Sequence, residues 1–142
     1  MATELNKSMV IDTKSYNDYA IGLTLPLRFS NNTFEQSYQT ISQIKSNIKN
    51  LLLTSRGERV MQPEFGSGLS SLLFEQSDSN LEGHIEDTII SSIDMWMPYI
   101  SIESIQVDMS DNSKDRNVVN ISLQFKVGDN ISLDELTFTI QQ

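Results

Sequence analysis

The chain has 142 residues, 38% of them apolar, no cysteine, one histidine and a formal net charge of −9. That length makes one domain with a modest core, and the absent cysteines exclude disulfides, thiolate nucleophiles and zinc–thiolate sites, leaving His84 with only carboxylates for any metal site. The charge is segregated: residues 1–59 are net +2, Val60 to Ser113 holds ten acidic groups and no lysine or arginine, and the rest is net −1, so a phosphate backbone would be repelled and nucleic acid is excluded as a partner.

The acidic middle reads either as a solvated face or as a docking surface for a basic partner. Met1 to Ser8 has no apolar core of a signal peptide, and no run reaches the roughly eighteen apolar residues that span a bilayer. The chain is therefore expected to be made in cytoplasm and to have no membrane partner. Residues 1–33 are expected to form an extended N-terminal arm. Within it Ile21, Leu23, Leu25, Leu27 and Phe29 alternate with Gly22, Thr24, Pro26 and Arg28, the period of an extended segment with one buried side. Pro26 lacks an amide donor and suits an edge strand or an arm docked on a partner.

A single domain is expected over 34–142. Thr33 with Gln36 offers a capping box and Ser37 a cap one turn later, predicting a helix from there to about Leu53. Its apolar residues Ile41, Ile44, Ile48, Leu51 and Leu52 share one face, with Lys45, Lys49 and Asn50 toward solvent. From Thr54 to Phe74, Gly57, Gly66, Gly68 and Pro63 each penalise a helix interior. The stretch is a shaped connector. Arg56 lies near the last free carbonyls of the first helix, and Gly57 can take the left-handed conformation that stops it. Arg59 either holds a partner's carboxylates or carbonyls in fixed geometry or clamps the connector within its own domain. Glu64 is a second candidate partner contact, and Phe65 offers a large apolar anchor. Leu69, Leu72, Leu73 and Phe74 read as a short helical turn pressed into the core.

Thr-x-x-Gly-Glu-Arg at Thr54 to Arg59, Pro-x-Phe-Gly at Pro63 to Gly66 and Leu-Phe-Glu at Leu73 to Glu75 together resemble the small baseplate wedge protein of contractile-tailed phages. That family includes the counterpart in the type VI secretion baseplate and is sometimes labelled lysozyme-like. The resemblance runs from about Ile41 to Val107. It implies a structural sheath initiator without cofactors, located in the virion tail baseplate and made in the host cytoplasm.

A second helix is predicted from Asp78 or Asn80 to Met97, with Leu81, Ile85, Ile89, Ile93 and Trp96 on one face. It ends before Pro98. Family members usually carry Glu-Pro-Arg here, in a loop that contacts the helical core bundle of the wedge. This chain keeps the aromatic Trp96 and Pro98 but has Met97 and Tyr99 in place of the charged pair, so the resemblance carries the position and not the ion pair. Trp96, Met97, Pro98 and Tyr99 remain candidate partner contacts through apolar area, with Trp96 as a core residue the alternative.

From Ile100 the period becomes two. Ile105, Val107 and Met109 are out of phase with Ile100 and Ile102, predicting a bulge near Glu103–Ser104. Val119, Ile121, Leu123, Phe125 and Val127 form the clearest strand, and Leu136, Phe138 and Ile140 the last, with turn chemistry at Ser110 to Asp115 and at Gly128 to Asn130. The expected fold is α+β: two main helices and a short helical turn packed on a three-stranded antiparallel sheet. An open strand edge can accept a strand from another chain. The resemblance implies that this sheet copies the sheath subunit's own and starts sheath polymerisation. The candidate contacts are Val118, Asn120, Ser122, Gln124 and Lys126 in one strand and Thr137, Thr139 and Gln141 in another. Two alternatives stay open: a free-standing protein-binding domain, and a cell-wall glycosidase that would need two facing carboxylates, for which Glu58 and Glu64 can be nominated.

Overall fold

The computed structural model of the chain describes residues 19–30, 33–74, 80–108, 118–128 and 133–141. The arm before Tyr19, the cap at Asp78, Met109, the Ser110 to Asp115 loop and the Asp129–Asn130 turn lie outside the described residues. In chain order the elements are β1 (Gly22–Leu23), β2 (Phe29–Ser30), β3 (Thr33–Phe34), β4 (Gln36–Ser37), α1 (Thr40–Leu53), α2 (Leu69–Phe74), α3 (Leu81–Trp96), β5 (Ile100–Asp108), β6 (Val118–Val127) and β7 (Asp134–Gln141).

The strands β5, β6 and β7 form an antiparallel meander with β6 in the middle. Every second residue of β6 from Val119 to Val127 is buried, and Phe125, Ile121 and Leu123 are sealed from solvent. Their opposite neighbours Asn120, Ser122, Gln124 and Lys126 lie on the wetter outer face, as expected of an antiparallel sheet covered on one side. The predicted bulge is present, with Ile102 paired to Phe125 and Ser104 to Gln124. Glu103 is the extra residue, and it lets Ile100 and Ile102 share the core face with Ile105 and Val107 despite the change of phase.

Two helices cover that face. In α1, Ile44, Ile48, Leu51 and Leu52 are buried; in α3, Leu81, Ile85, Ile89 and Ile93. The first lies over β7 and the second over β5. Burying one such side chain contributes about 1.5–3 kcal/mol, so these two stripes outweigh the weak like-charge pair Glu82 and Glu86. A Lys45–Asp134 ion pair at 3.5 Å closes the solvent edge between α1 and β7.

The N-terminal part departs from expectation. Instead of capping a helix, Thr33 and Gln36 belong to β3 and β4, which pair with β2 and β1, and α1 begins at Thr40 after Gln39 without a side-chain cap. Phe29 of β2 pairs with Phe34 of β3. Nor does the alternating stripe have a buried side: Ile21, Leu23, Leu27 and Phe29 are exposed. The β1–β4 ladder lies against α1 through its other side, and the segment is tied to that helix where Leu25 N–H donates to Ser46 Oγ at 3.2 Å. The helix α1 also stops before Gly57, since Thr54 already has extended backbone.

Candidate protein-docking surfaces

The connector between α1 and α2 is pinned at its base. Ser67 is 1% exposed; its Oγ donates to Leu52 O at 2.7 Å, and its N–H donates to Thr54 O at 2.9 Å. A parallel bridge joins Ser55 to Ser67. These bonds satisfy carbonyls that the end of α1 would otherwise leave open. Above the base, Gly57 N–H donates to Pro63 O at 2.7 Å, Gln62 N–H to Arg59 O at 3.2 Å and Phe65 N–H to Gln62 O at 3.0 Å. The Glu58 carboxylate accepts from Ser55 N–H at 2.9 Å. Gly57, Gly66 and Pro63 thus shape a short ordered projection rather than a slack loop.

Arg59 serves this projection internally. Its Nη2 donates to Asn50 Oδ1 at 3.0 Å, and its guanidinium carbon lies 4.0 Å from the centre of the Phe65 ring. Phe65 in turn meets Trp96 edge to face, ring centres 5.2 Å apart and planes at 67°. The stack Asn50–Arg59–Phe65–Trp96 ties the end of α1, the connector and the end of α3 together. Of the two roles open to Arg59, the structure displays the intradomain clamp. Sequence reasoning missed the tip itself: Val60 and Met61 are each 94% exposed. The available signal was two large apolar residues in a turn with no periodic partners.

The loop after α3 divides its four candidates. Met97 is buried in the core, Trp96 is half-buried beneath Phe65, and Pro98 and Tyr99 face outward. Met97 is therefore not the surface contact the sequence suggests. The loop is held by Met97 N–H to Ile93 O at 2.7 Å and by Gly128 N–H to Tyr99 O at 2.9 Å. Partial burial raises the Tyr99 phenol above its ordinary 10.0, because desolvation disfavours the phenolate.

On the sheet, Val118 to Lys126 belong to β6, whose main chain is paired on both sides. The strand-addition role expected there is corrected: a central strand has no open edge. Asn120, Ser122, Gln124 and Lys126 instead join a polar outer face, with Thr139 Oγ1 donating to Asn120 Oδ1 at 2.8 Å, Ser122 and Thr137 hydroxyls 3.2 Å apart, Ser104 Oγ donating to Gln124 Oε1 at 3.2 Å and Lys126 Nζ 2.8 Å from Glu103. Thr137, Thr139 and Gln141 lie on β7, which among the described residues pairs only with β6. Glu58 and Glu64 are both solvent-exposed, outside the apolar enclosure that a glycosidase acid requires.

A small α+β scaffold emerges whose accessible groups are an ordered projection, a polar sheet face and, among the described residues, strand edges at β5 and β7. Residues 39–130 match a family model described as baseplate wedge protein gp25. The chain belongs to this family of baseplate wedge proteins, which places it among the other proteins of a tail baseplate. No curated protein matches the sequence. Among solved structures, it is similar to a Geobacter sulfurreducens protein provisionally called a tail lysozyme, with TM-score 0.64 and 24% identity over 72% of this chain and 91% of that one. It is also similar to a chain of the anti-feeding prophage baseplate, with TM-score 0.54 and 19% identity over 82% of this chain and 81% of that one. A chain of the type VI secretion baseplate gives TM-score 0.54 and 15% identity over 71% of this chain and 92% of that one. These likenesses show the shared fold.

Proposed function

We propose that the protein docks on the helical core of a baseplate wedge through the Trp96–Tyr99 loop and presents its β5–β6–β7 sheet as the surface on which the tail sheath starts to polymerise. The observation that carries the second half is that β7, like β5 on the other side, pairs among the described residues with β6 alone, on a sheet already backed by α1 and α3. An incoming strand would gain main-chain hydrogen bonds there, while the outward Thr137 and Thr139 beside it set register. No bond is made or broken in this role, so no catalytic group is needed.

The test uses cells that build the particle but lack this chain, complemented with variants. Thr137→Lys with Thr139→Lys places cations along the edge, a device that blocks strand addition. Baseplates should still form and incorporate this variant but carry tubes without sheath. Tyr99→Glu should instead keep the protein out of the baseplate. Normal sheath on baseplates that contain the double lysine variant would sink the edge-docking role.

A further inference from the structure

We propose that the outer face of the N-terminal hairpin, formed by Ile21, Leu23, Phe29 and Phe34, is the docking site of the chain's own Met9–Val10–Ile11 run. The contact is intramolecular and stands apart from the baseplate reading, which uses neither group of residues.

Register and exposure define the face. Gly22 pairs with Ser37 and Leu23 with Gln36; beyond the Leu25 to Leu27 excursion, Phe29 pairs with Phe34. Gly22 and Ser37 turn toward α1, since a Cβ on Gly22 would overlap the Gln43 side chain and Ser37 is 3% exposed. Alternation along the strands then sends Leu23, Gln36 and Phe34 to the opposite side, with Ile21 beside Leu23 and Phe29 beside Phe34. The two phenyl rings meet edge to face there, centres 5.4 Å apart. The usual polarity is thus inverted: the hairpin buries its small, polar side on the helix and turns its apolar side away from it. Exposure of the four apolar side chains runs from 42% at Ile21 to 66% at Phe29, and covering them is favourable in proportion to the area removed from water.

The chain that leads into the hairpin selects the occupant. Residues 1–18 lie outside the described ones and end at Tyr19, two positions before Ile21. Among them Met9–Val10–Ile11 is the longest apolar run, and two of its three residues are β-branched, which suits an extended segment laid on a strand pair. Residues 12–20 join that run to Ile21 and reach at most about 30 Å when extended. The Thr33 to Ser37 side of the hairpin covers only roughly 15 Å, so the run can fold back along the whole face. Its tether also gives it an effective concentration on the order of millimolar, which a separate chain of equal affinity seldom meets.

The chain contains no cysteine, so Ser8→Cys in the full-length protein provides a single site for a nitroxide beside the run. In an isotope-labelled sample the amide signals of Leu23, Phe29 and Phe34 should lose most of their intensity, while Val107 in β5 keeps its own. Adding Val10→Asp should restore the three signals. Mixing spin-labelled chain of natural isotopic abundance with isotope-labelled chain that has no nitroxide should leave every signal at full intensity. Undiminished hairpin signals in the first sample, a loss that Val10→Asp does not reverse, or a loss in the mixed sample, which would make the occupant a second copy, would each overturn the proposal.

Discussion

Gly66 and Gly57 lie in one connector and both have positive φ, yet alanine should affect them very differently. At Gly57, φ is +86 and nothing lies within 4 Å of an added Cβ, so Gly57→Ala carries only the backbone penalty of about 1–2 kcal/mol. At Gly66, φ is +119 and an added Cβ would overlap the Thr54 carbonyl oxygen, with Thr54 C at 3.0 Å and Ser55 C at 3.2 Å. Those neighbours are backbone and cannot rotate away. Relief requires spreading the bridge between Ser55 and Ser67, which lengthens the Ser67 N–H to Thr54 O and Ser67 Oγ to Leu52 O bonds. A buried group left without its bond costs about 1–3 kcal/mol. The sum for Gly66→Ala is about 2–5 kcal/mol, a large part of the roughly 5–15 kcal/mol that holds a domain folded. Trp96 is the only tryptophan and sits against Phe65, so its fluorescence follows urea unfolding at this site. Free energies extrapolated from the two curves should differ by about 1–3 kcal/mol. Equal costs for the two variants would refute the claim that the connector is fastened to the end of α1 through the Ser67 base.

Two further outcomes follow from the same region. Arg59→Ala removes the Asn50 hydrogen bond and the contact on Phe65, and should cost about 1–2 kcal/mol while shifting Trp96 emission to the red; an unchanged spectrum would mean that the stack does not order the tryptophan. For Tyr99, burial keeps the phenol neutral to higher pH in the folded chain than in the unfolded one. Its contribution to stability is intact below the unfolded value of about 10 and is lost as pH rises through the folded value. Tyr99→Phe should therefore flatten the alkaline fall in stability and leave neutral pH untouched, which thermal melts across pH would check.

Much of the layered part was legible because each element has one wet and one dry side. Val119 to Val127 announce β6 by strict alternation, and the phase slip between Ile102 and Ile105 marks the Glu103 bulge. The N-terminal segment was misread by the same rule. Alternation from Ile21 to Phe29 reports a two-sided strand but cannot say whether anything covers the apolar side, and here no described element does. Thr33, Gln36 and Ser37 have helix-starting chemistry, which lost to pairing with β1 and β2 across the chain. For the site, the position of the connector was plain from its glycines. The Arg59–Phe65–Trp96 stack was not, since contacts between residues far apart in sequence leave no local pattern. Likewise, Val118 to Lys126 looked like an edge because strand order within a sheet is not written in periodicity.

Among the described residues β7, the third strand of the meander, pairs on one side only, as β5 does, and α1 is held onto β7 by Lys45 and Asp134. During synthesis the helices and β5 leave the ribosome well before β7, so α1 waits without its sheet partner and the edge does not yet exist. A chain that stalls or is cut before Asp134 lacks both the closure of its helical layer and the strand proposed to seed the sheath. The strand proposed to seed the sheath is thus the same strand that closes the layer under α1, and losing one loses the other.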